Sequence, residues 1–294
     1  MEGIINVLKP PGMTSSDVVV WIRKVLKIKK VGHTGTLDPG VAGVLPICVG
    51  KGTRLAEYIT EQGKAYIAEV TFGVSTDTQD SYGKIIQETS PQLKRSDLEQ
   101  ILPNFMGKVF QVPPMYSAVR KEGKHLYEYA RKGISIERPP REVSIYRLNL
   151  EEWYAGEFPK AILDIECSKG TYIRTISHDL GQALGCGAHM SYLVRVRSGP
   201  FNIRESWTLE EIEEAVRDGN FSFILPLTAG IDLPRVFLVG ARANAFRHGL
   251  PTKRAQVKAY DEDSESYVQV MENEELIGIG VWREGNLYPH KVFG

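Results

Sequence analysis

Apolar positions along this chain follow two periods in turn, and each stretch names an element. GIINVLKP, near the start, is a short apolar run closed by Pro10, Pro11 and Gly12, as a strand ending in a turn would be. TSSDVVVWIRKVLK opens on hydroxyl residues suited to capping a helix and sets Val18, Val19, Ile22, Val25 and Leu26 at helical spacing. KAYIAEVTFG alternates as a half-buried strand does, with Tyr66, Ala68, Val70 and Phe72 on one face. Ser96 with Glu99, and Thr208 with Glu211, have the spacing of capping boxes. VSIYRLNLEEW and AILDIECS read as two more strands. A helix from Thr171 to about Gly185 follows, with Ile173, Ile176, Leu180 and Leu184 on one face.

Two stretches depart from this texture. Residues 112–140 are polar, basic and punctuated by Pro and Gly, with one short helical piece, HLYEYARKG, ended by Gly133. That segment reads as a lid or insertion. Beyond Pro226, the short strands RVFLV, YVQVM and ELIGIGVW sit among loops. The expected division is a main domain over 1–230 and a small β-rich domain over 231–294, with no internal repeat.

Composition narrows the setting. A chain of 294 residues can bury a substantial core. No run approaches the roughly 18 apolar residues of a membrane helix, and the N-terminus lacks a charged segment followed by a long apolar one. A cytoplasmic location without membrane contact is expected. Cys48, Cys167 and Cys186 lie too far apart for a C-x-x-C pair and are expected as buried thiols. The formal net charge of zero conceals segregation. From Arg235 to Lys258 there are six bases and no acid, and from Asp261 to Glu275 seven acids and no base. Arg120–Arg141 carries seven bases against three acids, and Arg23–Lys30 five bases and no acid. Such blocks can be solvated faces, but several on one neutral chain favour a polyanion-facing surface.

The chemistry is concentrated in VGHTGTLDPG, residues 31–40, where three glycines and a proline surround His33 and Asp38. It is not a phosphate loop: the nearest candidate, Gly50-Lys51, has Leu45 in place of the first glycine and Gly52 in place of Ser or Thr. No G-x-G-x-x-G follows a strand, no H-E-x-x-H spacing occurs among the six histidines, and no G-x-S-x-G elbow is present. On spacing alone, Asp38 is a turn or cap residue.

Read together, several separated segments resemble the TruB family of tRNA pseudouridine synthases. They are LKPPGMTSSDVV, VGHTGTLDPGVAGVLPICVGKGTR, the tyrosine of KAYIAEV, GVSTDTQDSYGKI, VPPMYSAVRKEGKHLYEYARKG and CSKGTYIRTISHDLGQALGCGAHMSYLVRVRSGPF. Val41, after LDP-x, departs from the alanine common in that family but keeps the position apolar. The resemblance implies an α/β (α+β) fold, a mixed and largely antiparallel sheet flanked by helices, followed by a PUA-like RNA-binding domain. It implies isomerisation of the T-loop uridine, position 55 of tRNA, by a monomer that needs no cofactor, no metal and no obligate protein partner. Asp38 is then the nucleophile, Arg174 its ionic partner, and Tyr66 the ring stacked on the uracil and a candidate for moving its C5 proton. Tyr172 and Leu193 line the same pocket, and His33 enters the RNA loop where the flipped nucleotides had stacked. Lys121, Lys124 and Arg131 of the lid, and Arg242, Arg247, Lys253 and Arg254 of the C-terminal block, are expected to meet the RNA backbone. A second reading, an RNA-binding or RNA-folding module, draws on the same basic blocks but gives Asp38 no purpose.

Overall fold

The computed structural model describes residues 1–121, 123–257 and 267–293. Strand β1 (Gly3–Lys9) leads into α1 (Ser15–Leu26). Thr14 caps α1 reciprocally: Asp17 N–H donates to Thr14 Oγ1 at 3.0 Å, and Thr14 N–H donates to Asp17 Oδ2 at 2.8 Å. The helix buries Val18, Val19, Ile22 and Leu26, the face its spacing predicts. There follow β2 (Val31–His33), β3 (Ala42–Val49), α2 (Ala56–Thr60), β4 (Lys64–Phe72), the hairpin β5 (Val74–Thr76) and β6 (Ile85–Glu88), α3 (Arg95–Ile101) and β7 (Gly107–Gln111). Within 112–140 lie a small hairpin, β8 (Arg120–Lys121) and β9 (Lys124–His125), and the single-turn α4 (Leu126–Ala130). Then come β10 (Arg141–Tyr154), β11 (Lys160–Cys167), α5 (Ile173–Ala183), β12 (Ala188–Ser198), β13 (Phe201–Asn202), α6 (Leu209–Arg217) and β14 (Ile224–Leu225).

These strands form one mixed sheet in the order β14-β1-β3-β12-β4-β11-β10-β7, with β2 joined to β3 and β13 to β12. Among the described residues of this sheet only β3 and β12 pair in parallel; its other strand pairings are antiparallel. Helices α1, α3, α5 and α6 share an apolar cluster with the sheet through Ile22, Leu98, Ile176 and Ile212. The expected architecture, a largely antiparallel sheet flanked by helices, is the one observed. β1 and β3 bury both faces: Ile5, Val7, Leu45 and Ile47 join the main cluster, while Ile4, Val44 and Cys48 pack with Ile59 and Phe201. That is why GIINVLKP lacks the alternation of a half-solvated strand.

Two helix starts differ from the sequence reading. The box at α3 is closed by Asp97, whose Oδ2 accepts Lys94 N–H at 2.7 Å, so the helix begins before Ser96; Glu99 pairs with Arg95 at 2.7 Å instead. α5 begins at Ile173 with Tyr172 in the cap position, because the Thr171 hydroxyl donates to Ser168 O at 3.0 Å and is not free to cap. The Thr208–Glu211 box forms as expected.

A β-rich C-terminal domain contains β15 (Arg235–Phe237), α7 (Ala241–Arg247), β16 (Thr252–Lys253), β17 (Tyr267–Glu272), β18 (Glu275–Arg283) and β19 (Asn286–Val292). Its sheet runs β15-β17-β18-β19-β16 among the described residues, around Val236, Phe246, Val270 and Ile277. Met271, Leu276, Ile279 and Phe293 pack against Leu55 and Ile231, and Lys291 Nζ donates to Arg54 O at 2.7 Å, so the second sheet rests on the segment between β3 and β4. Lys258 and the acids Asp261, Glu262, Asp263 and Glu265 lie outside the described residues. The three cysteines are buried, as expected. Among the described residues no helix is long and apolar enough to cross a membrane.

Candidate active site

VGHTGTLDPG is a strand and then a turn. His33 pairs with Ile47 across β2 and β3, and the chain reverses at Asp38, whose carbonyl accepts Val41 N–H at 3.0 Å. For the Asp38 backbone, the plain turn reading is correct. Its neighbours are held on both sides. Ser15 Oγ accepts Leu37 N–H at 2.8 Å. Lys9 Nζ, on a fully buried residue, donates to the carbonyls of Pro10 at 2.8 Å, Met13 at 2.5 Å and Pro39 at 3.2 Å. The segment LKPPGMTSS thus clamps the residues flanking Asp38. Burial brings the Lys9 pKa down to about 8, although the charge of Asp38 opposes the shift.

Arg174, in the first turn of α5, uses every nitrogen of its guanidinium. Nε lies 3.1 Å from Asp38 Oδ2; Nη1 donates to Asp80 Oδ2 at 3.4 Å and Thr78 O at 3.2 Å; Nη2 donates to Tyr116 O at 2.7 Å. Asp80 is fixed in turn by Thr78 Oγ1 at 2.6 Å and Tyr82 N–H at 3.0 Å. The planar fork therefore links Asp38 to a rigid β5–β6 turn and to the lid at Tyr116. The side chains of Arg174 and Asp80 are 6% and 12% exposed, whereas that of Asp38 is 41% exposed. The carboxylate is surrounded by protein yet opens on one side. Burial raises its pKa above the ordinary aspartate value; Arg174 opposes this, Asp80 adds to it and Lys9 opposes it.

The open side faces a cavity of about 260 Å³ lined by Asp38, Tyr66, Tyr172, Arg174, Leu193 and Arg195. That is below the roughly 300–1,000 Å³ of a drug-sized pocket and suits a single heterocycle. Tyr66 reaches it from the buried face of β4, and Leu193 from β12. Tyr172 is held through its backbone: its N–H donates to Gln111 Oε1 at 3.0 Å and its carbonyl accepts from Gln111 Nε2 at 3.3 Å. Burial raises the pKa of both phenols and so keeps them protonated. His33 stands apart from this cavity, in a wider groove that also meets Tyr82, Tyr127, Arg131 and Tyr192. Burial lowers its pKa, and its Nδ1 is a buried atom without a hydrogen-bond partner. The imidazole is therefore not anchored to a backbone carbonyl through Nδ1.

The structure brings Asp38, Tyr66, Tyr172, Arg174 and Leu193 together, places His33 beside them and leaves the outer bases dispersed. Lys121 Nζ donates to Glu137 O at 2.8 Å, Lys124 is exposed, and Arg131 lies 5.2 Å over the Tyr127 ring. In the C-terminal domain Lys253 and Arg254 are exposed and Arg242 donates to Gln256 Oε1 at 3.3 Å. Arg247 is the exception among the proposed backbone contacts, because it pairs with Glu272 and with Glu275, the latter at 3.5 Å. Part of the acidic block folds onto the basic one, and segregation along the chain is cancelled there in space. The sequence reading assigned nothing to Lys9, Asp80 or Arg195. Each had a signal: a lysine ending an apolar strand, a second aspartate in TDTQDSYG, and an arginine two residues beyond Leu193 on the same strand face.

Residues 23–173 match the family model described as TruB family pseudouridylate synthase, N-terminal domain, and residues 174–231 match that of the tRNA pseudouridylate synthase B C-terminal domain. The two matches meet within α5, whose Ile173, Ile176 and Leu180 belong to one apolar cluster. The chain is 54% identical over 251 residues to tRNA pseudouridine synthase B of Symbiobacterium thermophilum, covering 85% of this chain and 83% of that one. It is 43% identical over 300 residues to tRNA pseudouridine synthase B of Streptococcus pneumoniae serotype 4, covering both in full. Among solved structures, a chain of a Cbf5–Nop10–Gar1 complex superposes with TM-score 0.77 at 28% identity, over 99% of this chain and 85% of that one. A chain of an H/ACA RNP bound to a substrate RNA containing 2′-deoxyuridine gives TM-score 0.75 at 26% identity, with the same coverage.

Proposed function

This chain belongs to the TruB family of tRNA pseudouridine synthases, which isomerise uridine in tRNA, and we propose from that premise that it acts on the T-loop uridine, position 55, with Asp38 as nucleophile. The observation that carries the reading is a half-exposed carboxylate opening on a ring-sized cavity while Arg174 holds it at 3.1 Å. In the isomerisation the C1′–N1 bond breaks, the base turns, and a C1′–C5 bond forms. C5 loses a hydrogen and N1 gains one, so no electron carrier is consumed. Attack on the base, attack on the ribose and elimination toward a glycal all begin from an ionised carboxylate. Arg174 favours that ionised form and aims it.

A uridine within a folded T-loop has to leave its stack, at a cost of a few kcal/mol. His33, at the rim, takes the place of the flipped base, and Tyr66 receives the uracil ring. The basic segment 112–140 closes over the bound loop, and Tyr116 couples that closure to Arg174 through its carbonyl. Residues 1–230 act as the catalytic domain and 231–294 as a PUA-like RNA-binding domain. The half-buried Arg242 and the exposed Lys253 and Arg254 serve as its backbone contacts, Arg247 being neutralised within the domain. We place the enzyme in the cytoplasm, acting on free tRNA as a monomer.

The test is to incubate the protein with unmodified tRNA and map pseudouridine at nucleotide resolution. Conversion at position 55 alone, absent in Asp38→Asn, is the expected result. Modification elsewhere overturns the target, and product from Asp38→Asn overturns the nucleophile.

A further inference from the structure

Beside the ring-sized cavity lies the wider groove, of about 900 Å³, which shares Asp38, Arg174 and Leu193 with it. A nucleotide whose ring fills the cavity therefore has its chain neighbours at this groove. One lining residue is Tyr82, 77% exposed and the most exposed aromatic among the described residues. It is nonetheless held in place. Tyr82 N–H donates to Asp80 Oδ1 at 3.0 Å, Met190 N–H donates to Gln79 O at 3.0 Å, and Ser81 Oγ donates to Ser191 O at 3.4 Å, so the turn carrying the ring is pinned to β12. The tip of the ring lies over Gly40, where an added Cβ would fall 2.3 Å from Tyr82 Oη and 2.4 Å from Cε2. Gly40 has no positive φ that would call for a glycine. What it supplies is room for the ring, two positions beyond Asp38.

The lining narrows what the groove can hold. Among the described residues no lysine lines it, and its arginines are Arg174, already committed to Asp38 and Asp80, and Arg131, already lying over the Tyr127 ring. Tyr192, 54% exposed, lines it as well. Such walls suit the flat, uncharged face of a base better than a phosphate. We propose that Tyr82 is a stacking platform for an RNA base adjacent to the target uridine, one that leaves the loop's stack together with it. Every base has a π-face, and a ring fixed in advance binds it without a further entropy cost of ordering the side chain. The contact offsets part of the cost of unstacking and steadies the strand on one side of the flipped nucleotide. This site rests on a uridine of an RNA loop occupying the cavity beside Asp38.

The experiment measures tRNA Kd and single-turnover conversion for the wild type, Tyr82→Ala and Tyr82→Phe. The substrates are unmodified tRNA and tRNAs with one abasic nucleotide immediately 5′ or 3′ of the target uridine. Because Tyr82 is exposed, truncating it leaves the apolar core intact. Tyr82→Ala is expected to weaken tRNA Kd roughly 10-fold, with a smaller loss of rate at saturating enzyme, and Tyr82→Phe to recover most of that affinity. With the wild type, one of the two abasic tRNAs should bind roughly 10-fold more weakly than intact tRNA. In Tyr82→Ala the same base removal should cost less than about threefold, because the platform is gone. An unchanged Kd for Tyr82→Ala, the result expected of a groove that serves a protein segment, overturns the proposal. So do equal losses from base removal with and without the ring. A fall in saturating rate at unchanged Kd also overturns it, since Tyr82 would then be a prop for the Asp38 turn. Wild-type protein that converts no tRNA uridine overturns the functional reading and this site with it, whereas conversion indifferent to Tyr82 overturns this site alone.

Discussion

Replacing Arg174 with methionine keeps most of the side-chain volume and removes every contact of the fork. The two carboxylates it separates are unlike. Asp80 is 12% exposed, and removing one partner of a buried pair costs about 3–5 kcal/mol. Asp38 is 41% exposed, so its bridge contributes nearer the ~0–1 kcal/mol of a solvated one. Asp80 keeps its bonds from Thr78 Oγ1 and Tyr82 N–H, while the carbonyls of Thr78 and Tyr116 lose a charged donor. These changes offset one another in part, and a net loss of about 3–5 kcal/mol is expected. With an unfolding entropy of about 2.1 cal/mol/K per residue, a chain of this length unfolding as one unit loses roughly 5–8 °C in Tm. Tryptophan fluorescence can follow this, since Trp21, Trp153 and Trp207 pack against the main cluster. Conversion of tRNA is expected to fall at least about 100-fold, because the carboxylate is no longer aimed. Arg174→Lys keeps the charge, but a single ammonium cannot serve Asp38, Asp80 and Tyr116 at once, and the rate stays low. A methionine variant melting within about 1 °C of wild type, with a lysine variant of full activity, would refute the reasoning.

Asp38→Asn is expected to abolish conversion without loss of Tm at pH 7. Burial holds the folded-state pKa of Asp38 above its unfolded value, so ionisation costs the native state stability that the neutral asparagine does not lose. The wild type should therefore gain on this variant as pH falls through that pKa, and a variant that melts several degrees lower at pH 7 would contradict the sign. With Asp38 as the proposed nucleophile, the acid limb of the wild-type rate profile should lie above the ordinary aspartate value of 3.8, since only an ionised carboxylate attacks. Asp80→Asn removes a charge that pushes Asp38 upward, so its limb should move to lower pH; an upward move would exclude the coupling. Gly43→Ala should destabilise by about 2–5 kcal/mol in urea unfolding. Gly43 has φ +120°, and a Cβ there would lie 2.2 Å from the Arg195 carbonyl oxygen. An unchanged urea midpoint would mean that β3 and β12 do not close as described.

Local pattern marked out most of the elements because burial on one face imposes a period that a single chain segment displays. α1 and β4 carry that period, and their buried faces are the ones it marks. The helix starts at α3 and α5 were less legible, because capping depends on which of several nearby polar side chains reaches the free N–H first. Within the site, Asp38, Arg174 and Tyr66 were recognisable from the separated motifs that contain them. Lys9, Asp80 and Arg195 were not, since nothing beside them in the chain says what they touch.

The sequence by itself determined most of the strands and helices, the carboxylate of Asp38 in its turn, and the separation of basic from acidic blocks along the chain. The tertiary structure alone decided that Asp80 would stiffen Arg174, that Arg195 would face Tyr66, and that Glu272 and Glu275 would neutralise Arg247. The reason lies in the sheet order β3-β12-β4, in which strands more than a hundred residues apart in the chain become neighbours. An ion pair or hydrogen bond depends on a separation of a few ångströms, and that separation is fixed only when the strands have paired.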